Sequence, residues 1–282
     1  MTPSEIIRLA LEEDIAGGDH TSLSTIPDKA TGSARLLIKQ QGVLAGMIYA
    51  REVFRQVDPA LEFDEKMADG TVVKPGDVPF IIRGAARSIL QGERLSLNIL
   101  QRLSGIATST AQLVKLVAPF GTRLLDTRKT TPLLREMEKY AVRMGGGRNH
   151  RMGLYDMIMI KDNHVDFAGG ISSAIDRVNN YLREKELDLK IEIEVRNFEE
   201  LEAVMEHGGV DRIMLDNFSP VDLAAAVNRI NGKYETEASG GINARNIEAY
   251  AATGVDFISS GAITHQIMSL DMSLKATFSL QG

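Results

Sequence analysis

Positively charged side chains are concentrated in one part of this acidic chain. Two nearby segments, "LLDTRKTTPLLR" at 124–135 and "RMGGGRNHRMGLYDMIMIKDNH" at 143–164, together contain Arg128, Lys129, His150, Arg151 and Lys161, although the formal net charge of the chain is -6. Because like charges repel, such a cluster usually faces an anion. Arginine binds carboxylate or phosphate through two parallel hydrogen bonds, and lysine acts as a compact point charge. The segments therefore predict a site for an anionic substrate.

Length and composition limit the classes of protein that this chain can represent. Its 282 residues are enough for one large domain or two moderate ones. The acidic balance argues against nonspecific nucleic-acid binding, and the absence of cysteine excludes disulfides, thiolate catalysis and thiolate metal ligands. The first residues lack the layout of a signal peptide, and no apolar run is long enough to cross a bilayer. We therefore expect a cytoplasmic protein with no membrane partner.

The predicted pattern of helices and strands that must position these cations changes near residue 104. Before it, the sequence predicts a helix over 3–14 and an antiparallel sheet built from short strands. These strands are predicted at Ser33–Lys39, Val43–Tyr49, Leu61–Glu65, Thr71–Lys74 and Val78–Arg83. A long helical stretch follows from Ala85 to about Val117, with Gly105 as a possible break.

Strands and helices alternate after this stretch, which is typical of a parallel sheet. The predicted strands are Arg123–Leu125, Met157–Ile160, Ile191–Val195, Arg212–Leu215, Tyr234–Ala238 and Val255–Ile258. About six strand–helix units are too few for an eight-stranded barrel. The pattern therefore favours an incomplete α/β barrel, with a doubly wound open sheet as the alternative.

A polar or small residue follows every one of these strands. In chain order the groups are Asp126–Lys129, Lys161, Glu194 with Arg196, Asp216, Ser239–Gly241 and Ser259–Ala262. In α/β barrels the active site is formed by the loops at the carboxyl ends of the strands. The sequence therefore predicts one polar site at this rim.

Three kinds of group at the rim suggest different parts of a ligand. The loops Ser239–Gly241 and Ser260–Ala262 allow close approach to a phosphate, although each alone is equally consistent with an ordinary turn. Glu194 and Asp216 have the chemistry to bind Mg²⁺ or sugar hydroxyls, to balance a developing positive charge, or simply to form ion pairs. His150 is interpreted as an anion ligand or a structural residue, and Arg123, Arg135, Lys139 and Arg143 as solvated surface residues. Together these groups favour an enzyme acting on a sugar phosphate or another anionic substrate.

Several longer motifs closely resemble the quinolinate phosphoribosyltransferase family. They are "DTRKTTPLLR", "EKYAVRMGGGRNHRMGLYDMIMIKDNH", "IEIEV", "IMLDNFSP", "EASGGIN" and "GVDFISSGAITH", with "ALEEDIAGGDHTS" and "GERLSLNILQRLSGIAT" nearer the start. The resemblance spans nearly the whole chain. It implies an N-terminal α/β sandwich and an incomplete, about six-stranded α/β barrel of the type II phosphoribosyltransferase kind. We assign the sandwich to 1–104, the barrel to 105–269, and a tail at about 270–282 that packs back on the sandwich.

The resemblance also implies a reaction and its partners. Quinolinate and phosphoribosyl pyrophosphate, with Mg²⁺ as cofactor, give nicotinate mononucleotide, pyrophosphate and carbon dioxide in NAD biosynthesis. The family usually forms a homodimer with shared active sites, and assembly into a hexamer is left open. Because both substrates are strongly anionic, the cation cluster would then have its explanation.

The motifs assign a role to each site residue. Arg128, His150, Arg151 and Lys161 resemble the quinolinate pocket, and Arg94 resembles an arginine that reaches into the neighbouring subunit's site. Thr127 and Lys129 belong to the same binding stretch as Arg128, with Lys129 near the phosphates of the donor. Glu194 and Asp216 match the acidic pair beside ribose and Mg²⁺. The phosphate loops correspond to Ser239, Gly240 and Gly241, and to Ser260, Gly261 and Ala262. Catalytic roles are expected for Lys129, Lys161, Glu194 and Asp216.

Two departures and three alternatives accompany this interpretation. Leu133 stands where the family usually has a glycine, and Arg196 stands where a neutral or acidic residue is expected. The first alternative is a homologue of the same fold that acts on another anionic acceptor. The second is an aldolase-like enzyme with a Schiff base on Lys161, and the third is a non-catalytic anion-binding protein.

Overall fold

The computed structural model describes residues 1–277, and its contacts divide the chain into two compact units. Within these residues, the first unit comprises Met1–Ala111, Thr130–Gly146 and the chain from Ile263 onward. The second unit comprises Gln112–Lys129 and Gly147–Ala262.

The order of helices and strands differs between the two parts of the chain. Up to the long helix they are α1 (Pro3–Ile15), α2 (His20–Thr25), β1 (Thr31–Ile38), β2 (Gly42–Val43), α3 (Met47–Val57), β3 (Glu62–Glu65), β4 (Val72–Val73), β5 (Phe80–Ala85) and α4 (Ala86–Val117). After a 3-10 turn at Ala118–Phe120 they are β6 (Arg123–Leu125), α5 (Arg135–Met144), β7 (Ile158–Ile160), α6 (Asp162–Ala168), α7 (Ile171–Glu184), β8 (Ile191–Val195), α8 (Phe198–His207), β9 (Arg212–Asp216), α9 (Pro220–Ile230), β10 (Glu235–Ser239), α10 (Ile247–Ala251), β11 (Phe257–Ser259), α11 (Ala262–His265) and β12 (Met272–Thr277).

The first unit is built on a four-stranded antiparallel sheet with the strand order β12-β1-β5-β3. The last strand of the described chain therefore pairs with the first, over Ser33–Ile38. Alternate residues of β1 point to one face and are buried there, since successive side chains of a strand alternate. Phe54 of α3 and Leu100 of α4 belong to the apolar core behind this face.

The predicted strand at Val43–Tyr49 is largely wrong, because only Gly42–Val43 pairs as a strand and α3 begins at Met47. Gly46 turns the chain at the helix start with φ of 108°. The buried residues Met47, Ala50 and Phe54 recur at the spacing of a helix face. A short apolar run does not by itself distinguish a strand from a buried helix.

Helix α4 runs without a break through Gly105 and also contains the predicted domain boundary at residues 104 and 105. A Cβ atom at Gly105 would lie 2.3 Å from the carbonyl oxygen of Met268. Within the first unit, this glycine therefore permits close packing of two backbones and does not end the helix.

The second unit contains six parallel strands in the order β6-β11-β10-β9-β8-β7. Strands β7 to β11 lie side by side in chain order without the reversal of a doubly wound sheet, and the first strand of this unit pairs with the last, as in a barrel. The predicted incomplete α/β barrel is therefore confirmed, and the doubly wound alternative is wrong. The two ends of the order, β6 and β7, are the open side, where a single parallel bridge joins Leu125 to Arg148.

The two faces of the barrel strands differ in polarity. In β8 the residues Ile191, Ile193 and Val195 alternate with Glu192 and Glu194. Strand register places Glu192 opposite Arg212 and Glu194 opposite Met214. The apolar set is buried at 5% exposure or less, as expected for the face that helices cover. The inner face is therefore the polar one.

Lys139 departs from its prediction as a solvated surface residue, because it is completely buried in α5 of the first unit. It shares the buried side of that helix with Met137, Glu138 and Val142. The apolar and polar letters of "EMEKYAV" do not reveal this, because the helix buries two charged side chains together with the apolar ones.

Candidate active site

Polar residues of the second unit meet at the carboxyl ends of its strands, as the sequence predicts. Lys161 follows β7, Glu194 lies near the end of β8, and Asp216 and Ser239 are the last residues of β9 and β10. Asp216 and Ser239 face each other in the parallel register. The adjacent loops have defined starts, because Asn197 and Ser219 cap α8 and α9 through their side chains.

Arg128 and Arg151 lie close enough for their charges to interact. The pKa of Arg151 is lowered, first by burial and then by the positive charge of Arg128. Arg151 donates to the carbonyl oxygen of Met157 at 3.3 Å, and Arg128 is exposed in the loop after β6. Two guanidinium groups that repel each other are stabilised when an anion binds between them. This pair therefore has the charge and the donor groups that suit a carboxylate or phosphate.

The loop that carries Arg128 also contains Thr127 and Lys129. The Thr127 hydroxyl accepts the N–H of Lys129 at 3.0 Å, which closes a tight turn around Arg128. The Lys129 side chain is exposed. Both residues therefore belong to the same loop as Arg128, and Thr127 shapes it.

Lys161 and Glu194 form an ion pair across neighbouring strands. The Lys161 Nζ donates to Glu194 Oε2 at 2.6 Å, and the side chains are 43% and 10% exposed. A Schiff-base lysine is usually activated by desolvation or by a second cation. A solvent-accessible lysine paired with a carboxylate does not have these surroundings, so the aldolase alternative finds no support in the geometry.

Asp216 is held at the end of β9 by its neighbour. The Asn217 side-chain amide donates to Asp216 Oδ2 at 2.6 Å, and Asn217 adopts a left-handed φ of 57°. Gly240 packs directly on Asn217, because a Cβ there would lie 2.2 Å from the amide oxygen. The acidic strand end and the first small-residue loop are therefore in contact.

The two small-residue loops of the second unit are joined to each other. Gly240 and Gly241 have positive φ values of 99° and 62°, which glycine adopts without strain. The Ser260 hydroxyl donates to the carbonyl oxygen of Ile242 at 3.0 Å, and its N–H donates to Leu125. Ser260 therefore fixes the shape of the loop. Gly261 and Ala262, which follow it, are half-buried.

His150 is directed into the barrel interior and does not lie on the exposed rim. Its Nε2 is 2.9 Å from Glu192 Oε2 and 3.5 Å from Glu237 Oε2, and both carboxylate side chains are fully buried. Its Nδ1 accepts the N–H of Arg151 at 2.7 Å. The predicted pocket residue thus has its Nδ1 hydrogen-bonded, and its Nε2 lies within ion-pair distance of the buried carboxylates.

The charges around His150 influence one another strongly. Burial alone would lower the pKa of His150, but Glu192 and Glu237 outweigh it and raise the pKa to about 9. Burial, with the charge of Glu237, raises the pKa of Glu192 to about 7. A second ring proton would have to occupy Nδ1, where the Arg151 amide already donates. When the ring is neutral, its proton therefore lies on Nε2 and faces the carboxylates.

Sequence reasoning missed Glu192 and Glu237, which face the barrel interior. Among residues 1–277, they form with His150 the one group of three or more histidine and acidic residues whose ligand atoms lie within 4.8 Å. The signal is present in "IEIEV" and "YETEA", where acidic residues alternate with apolar or small ones at the period of a strand. Such alternation indicates that one face of the strand is polar even though both faces are buried.

Arg94 and Arg196 have different surroundings from those of the rim cations. Arg94 is exposed on α4 and belongs to the first unit. Arg196 pairs with Glu200 and Asp166 on the surface, at 2.5 and 3.7 Å, so its charge is balanced by residues other than Glu194.

Two family models match the chain over most of its length. The model for the C-terminal domain of quinolinate phosphoribosyl transferase matches residues 106–275, and the model for the N-terminal domain matches residues 19–104. The chain belongs to the quinolinate phosphoribosyltransferase family. The cations, the acidic pair and the two small-residue loops at the rim are thus part of a quinolinate phosphoribosyltransferase fold.

Individual members of the family are similar over nearly the whole chain. A chloroplastic nicotinate-nucleotide pyrophosphorylase (carboxylating) of Arabidopsis thaliana is 44% identical over 96% of this chain and 81% of its own length. The structure of the nicotinate-nucleotide pyrophosphorylase from Francisella tularensis is 41% identical with a TM-score of 0.92, over 98% of this chain and 96% of that one. The corresponding structure from Ehrlichia chaffeensis is 35% identical with a TM-score of 0.92, over 98% and 99%.

Within residues 1–277, no helix of this quinolinate phosphoribosyltransferase family member is both long and apolar enough to span a membrane.

Proposed function

We propose that this chain transfers the phosphoribosyl group of phosphoribosyl pyrophosphate to quinolinate, with loss of carbon dioxide. The products are nicotinate mononucleotide, pyrophosphate and carbon dioxide, and the reaction serves NAD biosynthesis. The observation that carries the proposal is the neighbouring pair Arg128 and Arg151 at the barrel rim, in a chain that belongs to this family. Quinolinate has two adjacent carboxylates, which two arginine side chains can bind together.

The first step forms the bond between the pyridine nitrogen and C1 of the ribose. The bond from C1 to pyrophosphate breaks, the electron pair leaves with pyrophosphate, and the nitrogen lone pair attacks the oxocarbenium-like carbon. Glu194 and Asp216 lie at neighbouring strand ends, where their negative charge stabilises this positive centre. Fixing both substrates in line lowers a barrier by roughly 7–11 kcal/mol in favourable cases.

The second step removes the carboxylate next to the new pyridinium nitrogen. The bond from C2 to the carboxyl carbon breaks, and the pyridinium nitrogen stabilises the electron pair left on C2. Carbon dioxide departs, and a proton then takes its place on C2. The cations Arg128, Arg151 and Lys161 hold the acceptor during both steps, with Lys129 directed toward the phosphates of the donor.

The ribose and phosphate groups of the donor match the remaining residues of the rim. Asp216, oriented by Asn217, is suited to accept hydrogen bonds from ribose hydroxyls. The loops at Ser239–Gly241 and Ser260–Ala262 bring backbone close to a phosphate, as the last two loops of many α/β barrels do.

Mg²⁺ is proposed as the cofactor, held by Glu194 and Asp216 together with the pyrophosphate of the donor. Mg²⁺ commonly uses one or two carboxylates plus substrate phosphates, and these two carboxylates are an oxygen-only donor set on adjacent strands. When bound, Mg²⁺ neutralises charge on the departing pyrophosphate.

We also propose a homodimer in which Arg94 reaches the neighbouring subunit's site, and a cytoplasmic location. The exposed position of Arg94 on α4 supports its proposed reach into the neighbouring subunit. We propose no nucleic-acid partner, in keeping with the net charge of -6. Sedimentation equilibrium tests for the dimer and distinguishes it from a hexamer. Mixing Arg94→Ala subunits with Arg128→Ala subunits should restore activity if sites are shared, and cell fractionation tests the location.

The proposed reaction is tested by incubating the protein with quinolinate, phosphoribosyl pyrophosphate and Mg²⁺. Nicotinate mononucleotide and carbon dioxide should appear in equal amounts. Nicotinate, which lacks the 2-carboxylate, is the matched control and should give little product. Absence of product from a folded sample, or equal use of nicotinate, would contradict the proposal and indicate another anionic acceptor.

A further inference from the structure

The barrel interior of the second unit contains a buried group of charged residues beneath the rim. His150 is enclosed between Glu192 of β8 and Glu237 of β10, with a 5% exposed ring and fully buried carboxylates. Arg212 of β9 donates to Glu237 at 3.1 Å from the other side. Burying two carboxylates costs several kcal/mol unless they have partners, so their location needs an explanation beyond packing.

The backbone next to His150 is fixed by a set of short hydrogen bonds. The His150 N–H donates to Asp126 Oδ1 at 2.8 Å, and the Asn149 amide donates to Asp126 Oδ2 at 2.5 Å. The N–H of Arg151 donates to His150 Nδ1 at 2.7 Å. The orientation of the His150 ring therefore determines where the backbone of Arg151 lies.

The tautomer of His150 follows from the same contacts. Because Nδ1 accepts a hydrogen bond, the proton of the neutral ring must lie on Nε2, where Glu192 and Glu237 are the nearest acceptors. Without these carboxylates the ring would be free to move its proton to Nδ1. An N–H on that side would face the N–H of Arg151 and displace it.

We propose that Glu192 and Glu237 are positioning residues that act on Arg151 through His150. This inference rests on the proposed function, in which Arg151 binds a carboxylate of quinolinate. Arg151 is close to the like charge of Arg128, which repels its guanidinium when no anion is bound. The carboxylates fix the ring, the ring fixes the backbone, and the backbone keeps Arg151 facing the acceptor.

The kinetic test uses Glu192→Gln and Glu237→Gln, which keep the side-chain shape and remove the charge. We expect the KM for quinolinate to rise at least tenfold, while the KM for phosphoribosyl pyrophosphate stays within about twofold. The matched control is Glu235→Gln, because Glu235 lies on the same strand and contacts Arg212 and Lys190. Its kinetics should resemble those of the unchanged protein. Equal increases in both KM values, or no change, would overturn the inference.

A double-mutant cycle separates positioning from a general loss of structure. Combined with Arg151→Ala, the change Glu237→Gln should produce no further increase in the KM for quinolinate, because its effect passes through Arg151. Multiplicative effects of the two changes would overturn the inference.

The tautomer is measured directly by NMR of protein labelled with ¹⁵N-histidine. The chain has five histidines, so His150→Gln assigns the signal of interest. We expect the Nε2–H form in the unchanged protein and a mixture of forms in Glu192→Gln. An Nδ1–H form of the neutral ring in the unchanged protein, recorded above the His150 pKa of about 9, would overturn the inference even if every variant failed to fold. A copurifying metal ion that is lost in Glu237→Gln would also overturn it, since it would identify the three residues as metal ligands.

Turnover of quinolinate by the unchanged protein separates this inference from the proposed function. If the unchanged protein does not use quinolinate, the proposed function fails whatever the tautomer is. If it turns over quinolinate and the glutamine variants behave as Glu235→Gln does, only the positioning role fails.

Discussion

The buried side chains of the antiparallel sheet and those of the barrel interior are chemically different. Behind the sheet of the first unit, Leu36, Phe54, Phe80 and Ile82 are at most 1% exposed and contact other apolar groups. Burying such a side chain contributes roughly 1.5–3 kcal/mol to folding. The inner faces of the barrel strands instead present carboxylates and a guanidinium in a volume that water barely reaches.

This difference separates the part of the molecule that gives stability from the part available for chemistry. The outer faces of the barrel strands remain apolar, as at Ile193 and Ile213, so the second unit has its own hydrophobic contacts. Its interior is therefore available for groups that cost free energy to bury. Substitutions in the two regions should have opposite consequences for folding and turnover.

Removing an aromatic ring from the sheet core should produce the largest loss of stability. Phe80 is fully buried, and its ring lies 4.4 Å from Phe63 and 6.1 Å from Phe54 between centroids. Phe80→Ala should reduce the free energy of unfolding by about 3–5 kcal/mol because a cavity remains. Urea denaturation measures this loss, and the KM for quinolinate of the folded fraction should not change. Val72→Ala, at a position that is 69% exposed, is the control.

Removing a rim cation should have the opposite effect. Arg128→Ala should lower kcat/KM for quinolinate by roughly 100-fold or more, as expected when one partner of a charge-assisted pair is lost (about 2–4 kcal/mol). Its urea midpoint should stay close to that of the unchanged protein, because the side chain is exposed. Arg229→Ala, which removes a surface pair with Glu202, is the matched control and should affect neither quantity. Near-normal turnover in a folded Arg128→Ala sample would contradict the assignment.

Some charges at the surface of the first unit add to its stability. Glu52 of α3 accepts hydrogen bonds from Arg55, Ser4 and Gln56, and these contacts, with Arg55 first, lower its pKa from 4.5 to about 2. Because the pKa is lower in the folded state, the contribution is complete above pH 4.5 and is lost as the pH falls toward 2.

The change Glu52→Gln tests this contribution. It should reduce the free energy of unfolding by about 1 kcal/mol at pH 6, after allowance for solvent screening, and the difference should shrink as the pH falls from 5 to 3. Urea denaturation at several pH values measures the difference. Glu62→Gln, at a side chain that is 68% exposed, serves as the control for removing a surface carboxylate of the same unit. A difference that grows in acid would contradict the direction of the pKa shift.

The sequence predicted the scaffold of the barrel better than its interior. All six parallel strands and the residues at their ends were predictable, because apolar runs separated by amphipathic helices have a clear period. The partners of His150 were not, since they lie on β8 and β10 and depend on how the sheet curls. Helix α3 was missed for a different reason: "MIYA" has the same apolar character in a strand as in a helix. Pairings that depend on tertiary structure are not contained in local patterns.

Leu133 occupies a turn of the first unit in which glycine would be the favoured residue. The N–H of Leu134 donates to the carbonyl oxygen of Thr131, with Pro132 and Leu133 between them, and Leu133 has φ of 67°. Proline followed by a residue of positive φ is typical of a type II turn, in which glycine is favoured at the second of these positions. The left-handed conformation costs a leucine roughly 1–2 kcal/mol. The chain therefore contains a strained turn at Leu133.

Leu133→Gly should relieve this strain and produce the smallest of the expected effects. The side chain is 66% exposed, so little apolar burial is lost. Glycine also gains freedom in the unfolded chain, which offsets part of the benefit, and the net increase in the free energy of unfolding should be about 0.5 kcal/mol. Leu134→Gly is the control, because Leu134 has an ordinary φ of -89° and should lose stability on the same change. Equal losses of stability in both variants, measured by urea denaturation, would contradict this prediction. They would show that the backbone at Leu133 is not strained and that the Leu133 side chain stabilises the turn.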